Sequence, residues 1–164
     1  AFTTAGAGAD IYGNADAFHF THQQATGDVQ IVARVLSLQP TDPWAKAGVI
    51  IRETLGAGSK FAAVYITPGN GCRFQGRTDT DGAATSDTSV VTTEQTAITA
   101  PYRIKLERDF AGNFRGYYSS DGATWQPRGW DWVDPQKDID ADIKAIEGDI
   151  VRMLAEVTGG QAAC

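Results

Sequence analysis

The sequence lacks long apolar runs, a basic stripe and a large supply of catalytic side chains. No apolar segment approaches the roughly 18 residues that indicate a membrane-spanning helix, so no membrane span is expected. With 14 basic against 20 acidic residues and no cluster of Lys or Arg, duplex nucleic acid is not expected as a partner. The two cysteines, Cys72 and Cys164, allow at most one internal disulfide, and the sequence favours a buried free thiol at Cys72 over that bridge.

Catalytic arrangements are also missing from the predicted strands. Sandwich glycosidases usually present two or three carboxylates on one strand face, as in Glu-x-Asp-x-Glu, and no predicted strand has this spacing. Glu53 and Glu107 are isolated, and the dense acidic run Asp138–Asp142 falls in a predicted helix. His19 and His22 are the only candidate bases, and no Gly-x-Ser-x-Gly nucleophile elbow occurs. We therefore predict that the protein is not an enzyme.

Asp79 and Asp81 are the candidate metal ligands, and no other cofactor is expected. In Asp79-Thr80-Asp81-Gly82 the carboxylates offer the oxygen ligands that calcium prefers. The third acid and the closing Glu of a full EF-hand loop are absent. A structural turn is the competing interpretation of this segment.

Up to Trp125 the sequence has the pattern of many short antiparallel strands. Apolar and polar residues alternate in Phe18–His22 and Val29–Val35, which places one strand face in a core. Turn signals rich in Gly, Asn and Asp separate these strands from further candidates: Ala47–Arg52, Phe61–Thr67, Cys72–Arg77, Tyr102–Arg108 and Phe114–Ser119. Residues 78–99 are predicted to form a surface excursion with a weak strand at Ser89–Thr92. This pattern predicts an all-β sandwich of two antiparallel sheets over residues 1–130.

From residue 131 to residue 164 the pattern is that of an acidic amphipathic helix. This tail carries 8 acidic and 3 basic residues, whereas residues 1–130 carry 12 and 11. Asp134 and Pro135 suit a helix start, and Gly159 suits its end. The helix is predicted to dock on a protein partner, pair with a second copy or cover its own sandwich through apolar residues spaced by four and three: Ile139, Ile143, Ile146, Ile150, Met153 and Val157.

The sharpest local motif runs from Ser119 to Trp125 and is one residue short of the Asp-box found in sialidases. Its residues suit a tight hairpin, because Asp121 can accept hydrogen bonds from backbone N–H groups and Gly122 can adopt a positive φ. Trp125 is expected to pack beneath the turn. The motif therefore indicates structure and no catalysis.

Aromatic residues on or beside the strands are the candidate ligand contacts. Exposed rings stack on sugar faces and anchor protein partners, whereas core or edge packing is the competing interpretation. Because adjacent strand residues face opposite ways, one of Tyr117 and Tyr118 must point outward. The candidates are Trp44, Tyr65, Tyr117 and Tyr118. Trp44, which follows Pro43 and opens a strand, is expected to be substantially buried.

Several motifs occur in an order that resembles the concanavalin A-like (laminin G-like) jelly-roll modules of the DUF1349 type. They are Asp10–Phe20, Ile31–Val35, Asp42–Glu53, Thr67–Gly71, Pro101–Leu106 and Gly116–Gly122. Such modules are appended to secreted bacterial glycosidases and surface proteins. The resemblance covers residues 1–125 and implies a jelly-roll sandwich with an extracellular or surface location.

Beyond that hairpin the chain departs from the jelly-roll pattern. Residues 130–147 resemble, over a short stretch, the C-terminal part of lambda-like phage portal proteins, which implies a virion protein. Two functions are thus expected. The first is a non-catalytic carbohydrate-binding or adhesion module, and the alternative is a structural assembly protein, such as a phage capsid decoration or head-surface protein anchored by its C-terminal helix.

Overall fold

The computed structural model describes residues 6–86 and 96–133, and the ten elements bounded there are all β-strands. In chain order they are β1 (Asp10–Tyr12), β2 (Ala15–Ala17), β3 (Val29–Val35), β4 (Ala47–Arg52), β5 (Phe61–Thr67), β6 (Gly71–Arg77), β7 (Thr85–Ser86), β8 (Tyr102–Arg108), β9 (Asn113–Ser119) and β10 (Gln126–Val133).

The strands form two four-stranded sheets and a small hairpin, with antiparallel pairing throughout. The first sheet has the order β10-β9-β8-β3, and the second has the order β4-β5-β6-β7. Among the described strands, β1 and β2 pair only with each other. The prediction of an all-β fold with antiparallel sheets is therefore confirmed.

Six of the seven strands predicted within the described residues agree closely with those observed, whereas β1, β2, β7 and β10 were not predicted. β3, β4, β5 and β8 have the predicted bounds, and β6 and β9 each begin one residue earlier than predicted. The strand predicted at Phe18–His22 is wrong. Phe18 and Phe20 are half-buried and their neighbours are exposed, as alternation requires, but none of the strands in residues 6–86 and 96–133 pairs with this segment. Alternation reports a half-buried extended chain, and only a neighbouring strand makes it part of a sheet.

The main core lies where the inner faces of the two sheets meet. Ile104 and Leu106 of β8 and Phe114 of β9 come from the first sheet, and Val64 and Phe74 come from the second. Cys72 is also buried here as a free thiol, as the sequence favoured, and burial raises its pKa to about 12. Gly116 leaves room for this contact, because a Cβ there would approach a Val64 methyl carbon to 2.6 Å.

A second apolar cluster lies on the opposite face of the β4–β7 sheet. Phe61, Ala63 and Tyr65 of β5 are buried there together with Ala84, and Ile11 of the β1–β2 hairpin packs against them. All residues of β5 and β6 are consequently buried, because both faces of these strands are covered. We call this the covered face. The outer surface of the β10–β3 sheet is called the open face.

Buried charges hold the hairpin on the covered face. The Asp16 carboxylate accepts hydrogen bonds from Arg77 Nη1 and Nη2 at 2.8 and 2.7 Å and from Arg52 Nη1 at 2.7 Å. These side chains are at most 3% exposed. Arg77 Nη2 also donates to the Gly13 carbonyl at 2.9 Å. This ion cluster ties β2 to β4 and β6, and so positions the hairpin relative to the sheet.

The described chain continues the first sheet past the jelly-roll motif. β10 pairs with β9 from Gln126 to Val133, with a register irregularity between Arg128 and Trp132. The backbone of the portal-like stretch is therefore strand at its beginning. The weak strand at Ser89–Thr92 and the predicted C-terminal helix, with Ile139 to Val157, lie outside the described residues, as does Cys164.

Candidate functional site

Trp44 lies on a loop that is held against the β5–β6 turn. Its backbone N–H donates to Asp42 Oδ1 at 2.7 Å, which closes a tight turn before β4. The Pro43 carbonyl accepts hydrogen bonds from Gly69 N and from Asn70 Nδ2, each at 3.0 Å. A Cβ on Gly69 would lie 2.8 Å from the Pro43 Cβ, so the loop packs closely on this glycine. The Trp44 side chain is thereby presented at the edge of the covered face.

The expectation that Trp44 is substantially buried is wrong. The residue is 45% exposed, because it belongs to the loop before β4 and not to the strand itself. One face of its indole is covered by Arg73, whose guanidinium carbon lies 5.5 Å from the ring centroid. This distance is within the range of a cation–π contact. Trp44 is therefore an exposed ring with a cation behind it.

Arg73 is a buried cation with an unused donor. It stands on β6 and is 9% exposed, and its side chain faces the same way as Gln75 and Arg77, two and four residues along the strand. Its Nε is buried and meets no hydrogen-bond acceptor in the described part of the chain. Buried polar groups nearly always have a partner, so this atom calls for an explanation.

Tyr65 is buried beside Arg73. It is the register partner of Arg73 on β5 and is 2% exposed. Its hydroxyl donates to Gln75 Oε1, and Gln75 Nε2 in turn donates to the Ile11 carbonyl at 2.6 Å. Burial raises the pKa of Tyr65 well above its ordinary value, so the phenol is neutral at physiological pH.

Lys46 lies on the other side of Tyr65. Its Nζ is 5.5 Å from the Tyr65 ring centroid and 6.0 Å from that of Tyr12, and it forms an ion pair with Asp10. The Tyr12 side chain belongs to a residue that is 55% exposed, and the Asp10 side chain is 46% exposed. The site thus consists of a ring, two cations, one carboxylate and a second ring: Trp44, Arg73, Lys46, Asp10 and Tyr12. We call this set the Trp44–Arg73 site.

A second aromatic group lies on the open face. The Lys105 ammonium is 4.1 Å from the Tyr117 ring centroid and 5.1 Å from that of Trp125. It also forms an ion pair with Glu107 at 2.7 Å, and Gln30 Nε2 donates to the same carboxylate at 2.8 Å. The cation and the carboxylate satisfy each other here. This group therefore resembles a self-contained surface cluster more than an empty binding site.

The four predicted ligand-binding aromatics are dispersed by the fold. Trp44 and Tyr65 come together at one site, although only Trp44 presents its ring to solvent. Tyr117 points out on the open face. Tyr118, which is 5% exposed, packs in the main core against Tyr102, so its ring is not displayed to solvent. This confirms the expectation that one of the two adjacent tyrosines faces outward.

Sequence analysis missed Arg73 and Lys46. One signal was present: Arg73, Gln75 and Arg77 alternate along β6, which places three polar side chains on a face that the neighbouring Tyr65 and Phe61 make apolar. Such a face needs either partners or a ligand. Which of the three lacked a partner could be learned only from the packing of the hairpin.

Asp79 and Asp81 lie in the turn after β6. Asp81 has a φ of 60°, its N–H donates to the Gly58 carbonyl at 2.8 Å, and its own carbonyl accepts from Asn14 Nδ2 at 2.7 Å. Thr78 Oγ1 donates to Asp79 Oδ2 at 2.7 Å. In residues 6–86 and 96–133 no three His, Cys, Asp or Glu side chains gather as a metal site would require. The contacts observed at both residues are those of a turn.

The Asp121 hairpin has the predicted geometry. Asp121 Oδ1 accepts hydrogen bonds from the backbone N–H groups of Ala123 and Thr124, each at 2.8 Å, and Gly122 has a φ of 82°. These hydrogen bonds lower the pKa of Asp121 to about 2. Its acceptor capacity serves the turn, which agrees with a structural role.

Comparison with protein-family models, with curated proteins and with solved structures finds no match to this chain. The jelly-roll and portal resemblances accordingly stay predictions. Within the part of the chain that the structure describes, no helix has the length and apolar character needed to cross a bilayer.

Proposed function

We propose that this protein is a non-catalytic carbohydrate-binding or adhesion module, and that it binds glycan at the Trp44–Arg73 site. The observation that supports this most directly is the exposed Trp44 ring beside a buried guanidinium with an unpaired Nε. Binding sites combine apolar or aromatic surface with a few fixed polar groups, and the flat face of a sugar meets both requirements. A glycan hydroxyl or carboxylate would supply the acceptor that Arg73 lacks.

The surrounding contacts support a preformed site. The Trp44 loop is tied to the β5–β6 turn by two hydrogen bonds to one carbonyl, and the hairpin that carries Asp10 and Tyr12 is held by the buried Asp16 cluster. A site fixed before binding loses less conformational entropy when the ligand arrives.

The proposal of a non-catalytic role rests on how the isolated acids are used. Glu53 pairs with Lys60 at 3.1 Å, and Glu107 pairs with Lys105 at 2.7 Å. A general acid for glycoside hydrolysis needs a raised pKa, whereas the pKa of Glu107 is lowered: desolvation raises it, but hydrogen bonds from Lys105 and Gln30 outweigh that effect.

We also propose that the two sheets form a jelly-roll sandwich. Two sheets that share one core fit the jelly-roll sandwich implied by the resemblance, and the modules it resembles are parts of secreted and surface proteins. An extracellular or surface location is proposed on that basis. The C-terminal helix with Ile139 to Val157, and its assembly with a protein partner or a second copy, stay predictions because these residues lie outside those described.

A glycan array followed by calorimetry on the hits tests the proposed function. The full chain is compared with Trp44→Ala and with the matched control Trp125→Ala on the open face. We expect the first variant to lose about tenfold or more in affinity, equivalent to ~1.4 kcal/mol, and the control to bind as the original does. Silence of the folded protein on plant, bacterial and animal glycans, with and without calcium, would refute the proposal.

A further inference from the structure

Two buried arginines on one strand differ in the number of hydrogen bonds they make. Arg77 and Arg73 stand four residues apart on β6 and face the same side of the sheet. Arg77 makes six hydrogen bonds, which include two to Asp16 and one to each of the carbonyls of Gly82, Ala57, Ser59 and Gly13. Arg73, at 9% exposure, makes none with the described residues and forms no ion pair with them.

Leaving a guanidinium in this state costs free energy. A buried charge is normally paired, because desolvation is offset only by an opposite charge and by hydrogen bonds. The indole of Trp44 offsets part of that cost through a cation–π contact at 5.5 Å. Tyr65, the neighbour on β5, is neutral and its hydroxyl donates to Gln75, so it supplies no negative charge. The described residues therefore supply no counter-charge for Arg73.

The other charges of the site do not supply it. Asp10 is the single carboxylate of the Trp44–Arg73 site, and it pairs with Lys46. The site therefore holds two cations and one anion, although the chain as a whole carries a net charge of −6. An anionic ligand would bring the site to neutrality.

We propose that the ligand of the Trp44–Arg73 site is an acidic saccharide in which a carboxylate binds Arg73 while a sugar ring stacks on Trp44. This inference rests on the proposed glycan-binding function and specifies its chemical class. A uronic acid residue carries both groups within one ring. Its carboxylate is planar and can accept two parallel hydrogen bonds from a guanidinium. A Lys ammonium lacks the planar geometry for this pairing.

The same geometry accounts for selection against neutral sugars. A neutral sugar covering the site would remove the remaining water from Arg73 and leave its charge unpaired, which opposes binding. Sulfate on a sugar is the other common source of negative charge. It is tetrahedral and shares the charge but not the planar shape of a carboxylate, so a sulfated sugar serves as a separate arm of the test.

The experiment uses the full chain and three probes of equal length: a galacturonic acid oligosaccharide, its carboxyl-reduced counterpart, which is a neutral galactose oligosaccharide, and a sulfated galactose oligosaccharide. We expect the acid to bind at least about tenfold more tightly than its reduced counterpart, the equivalent of one charge-assisted pair. Binding of the sulfated probe as tight as that of the acid would overturn the carboxylate assignment.

Variants then assign the preference to Arg73. Arg73→Gln should reduce the ratio of the two affinities to within about threefold, and Arg73→Lys should restore only part of it, because the planar fork is lost. Arg34→Gln, which removes one charge from the exposed outer surface of β3, is the control and should retain the ratio. Equal effects of Arg34→Gln and Arg73→Gln would show a general charge effect and overturn the inference.

A readout without ligand guards against misfolding of the variant. Because Arg73 is buried without a counter-charge, Arg73→Met should change the melting temperature much less than Arg77→Met, which removes six hydrogen bonds and lowers it. A loss for Arg73→Met as large as that for Arg77→Met would show that the protein itself satisfies Arg73, and the inference would fail.

The possible failures are distinguishable. If neutral and acidic oligosaccharides bind equally and Trp44→Ala abolishes both, the glycan-binding function stands and the acidic specificity is refuted. If no saccharide binds to the folded protein, both are refuted.

Discussion

The covered and open faces of this protein differ in how their charged side chains are stabilised. The covered face buries Arg52, Arg77 and Asp16 under the β1–β2 hairpin, so its charges must be matched within the protein. The open face carries Lys105 and Glu107 in contact with water, where pairing matters little to folding. A similar ion pair therefore has different consequences on the two faces, and burial decides which.

The same comparison explains where a ligand site arises. On the open face a cation with a poor partner can turn to solvent at small cost. On the covered face Arg73 is only 9% exposed, and its buried Nε has no hydrogen-bond partner in the described part of the chain. An arginine without a partner therefore indicates a ligand site only where its side chain is buried.

The largest expected effect is that of Asp16→Ala. It leaves two arginines buried without a counter-charge, and removal of one partner of a buried pair costs about 3–5 kcal/mol. Glu107→Ala, the matched change on the open face, should cost less than about 1 kcal/mol. Urea unfolding of both variants measures the difference. Similar losses at the two sites would show that the hairpin does not shield the Asp16 cluster.

Removal of a phenolic hydroxyl should give an intermediate effect. Tyr65→Phe leaves Gln75 Oε1 buried without its donor, and an unsatisfied buried group costs about 1–3 kcal/mol. Tyr117→Phe on the open face should be nearly neutral, because water replaces the lost contact. Thermal unfolding monitored by circular dichroism compares the two. A neutral Tyr65→Phe would indicate that water reaches Gln75.

Trp44→Ala should cost less than a core truncation. The residue is 45% exposed, so we expect a loss of about 1 kcal/mol, where a buried tryptophan would cost about 3–5 kcal/mol. The lost cation–π contact with Arg73 accounts for much of that loss. Urea unfolding checks this value, and a loss above about 3 kcal/mol would mean that the ring is part of the fold and is not displayed for a ligand.

The smallest effect is a pH dependence of stability that comes from Asp121, in the turn between β9 and β10. Hydrogen bonds lower the pKa of Asp121 to about 2 from its ordinary 3.8, so its contribution to stability is present above the unfolded value. That contribution is lost as the pH falls from about 4 to 2. The difference in melting temperature between the original chain and Asp121→Ala should therefore be constant near neutrality and shrink below pH 4. A difference that does not change over this range would contradict the role of the carboxylate.

Strand positions were predictable because period-two alternation and turn residues are local signals. Val29–Val35 and Tyr102–Arg108 alternate cleanly, since one face of each meets water. The strand predicted at Phe18–His22 failed because pairing depends on what lies beside a segment. The predicted burial of Trp44 was wrong for a related reason. The position of its loop depends on hydrogen bonds from Gly69 and Asn70 to the Pro43 carbonyl, and residues so far apart in the sequence leave no local signal of such a contact.

The site was less predictable than the fold. Trp44 was identified as a candidate aromatic, but Arg73 matters through the absence of a partner, which no sequence pattern reports. Arg77, four residues further on, looks equivalent in the sequence and differs because the carboxylate of Asp16 and four backbone carbonyls surround it.

The burial of β5 on both faces has a consequence for the timescale of events at the site. β5 is paired on both edges, by β4 and by β6, so its amides should exchange with solvent only through near-global opening. Arg73 pairs directly with this strand, whereas the Trp44 loop is tethered by hydrogen bonds to a single carbonyl and should exchange through small local openings. Hydrogen exchange should therefore be slow at the amides of β5 and fast at those of the Trp44 loop. A ligand that bridges Trp44 and Arg73 should slow the exchange of the Trp44 loop selectively.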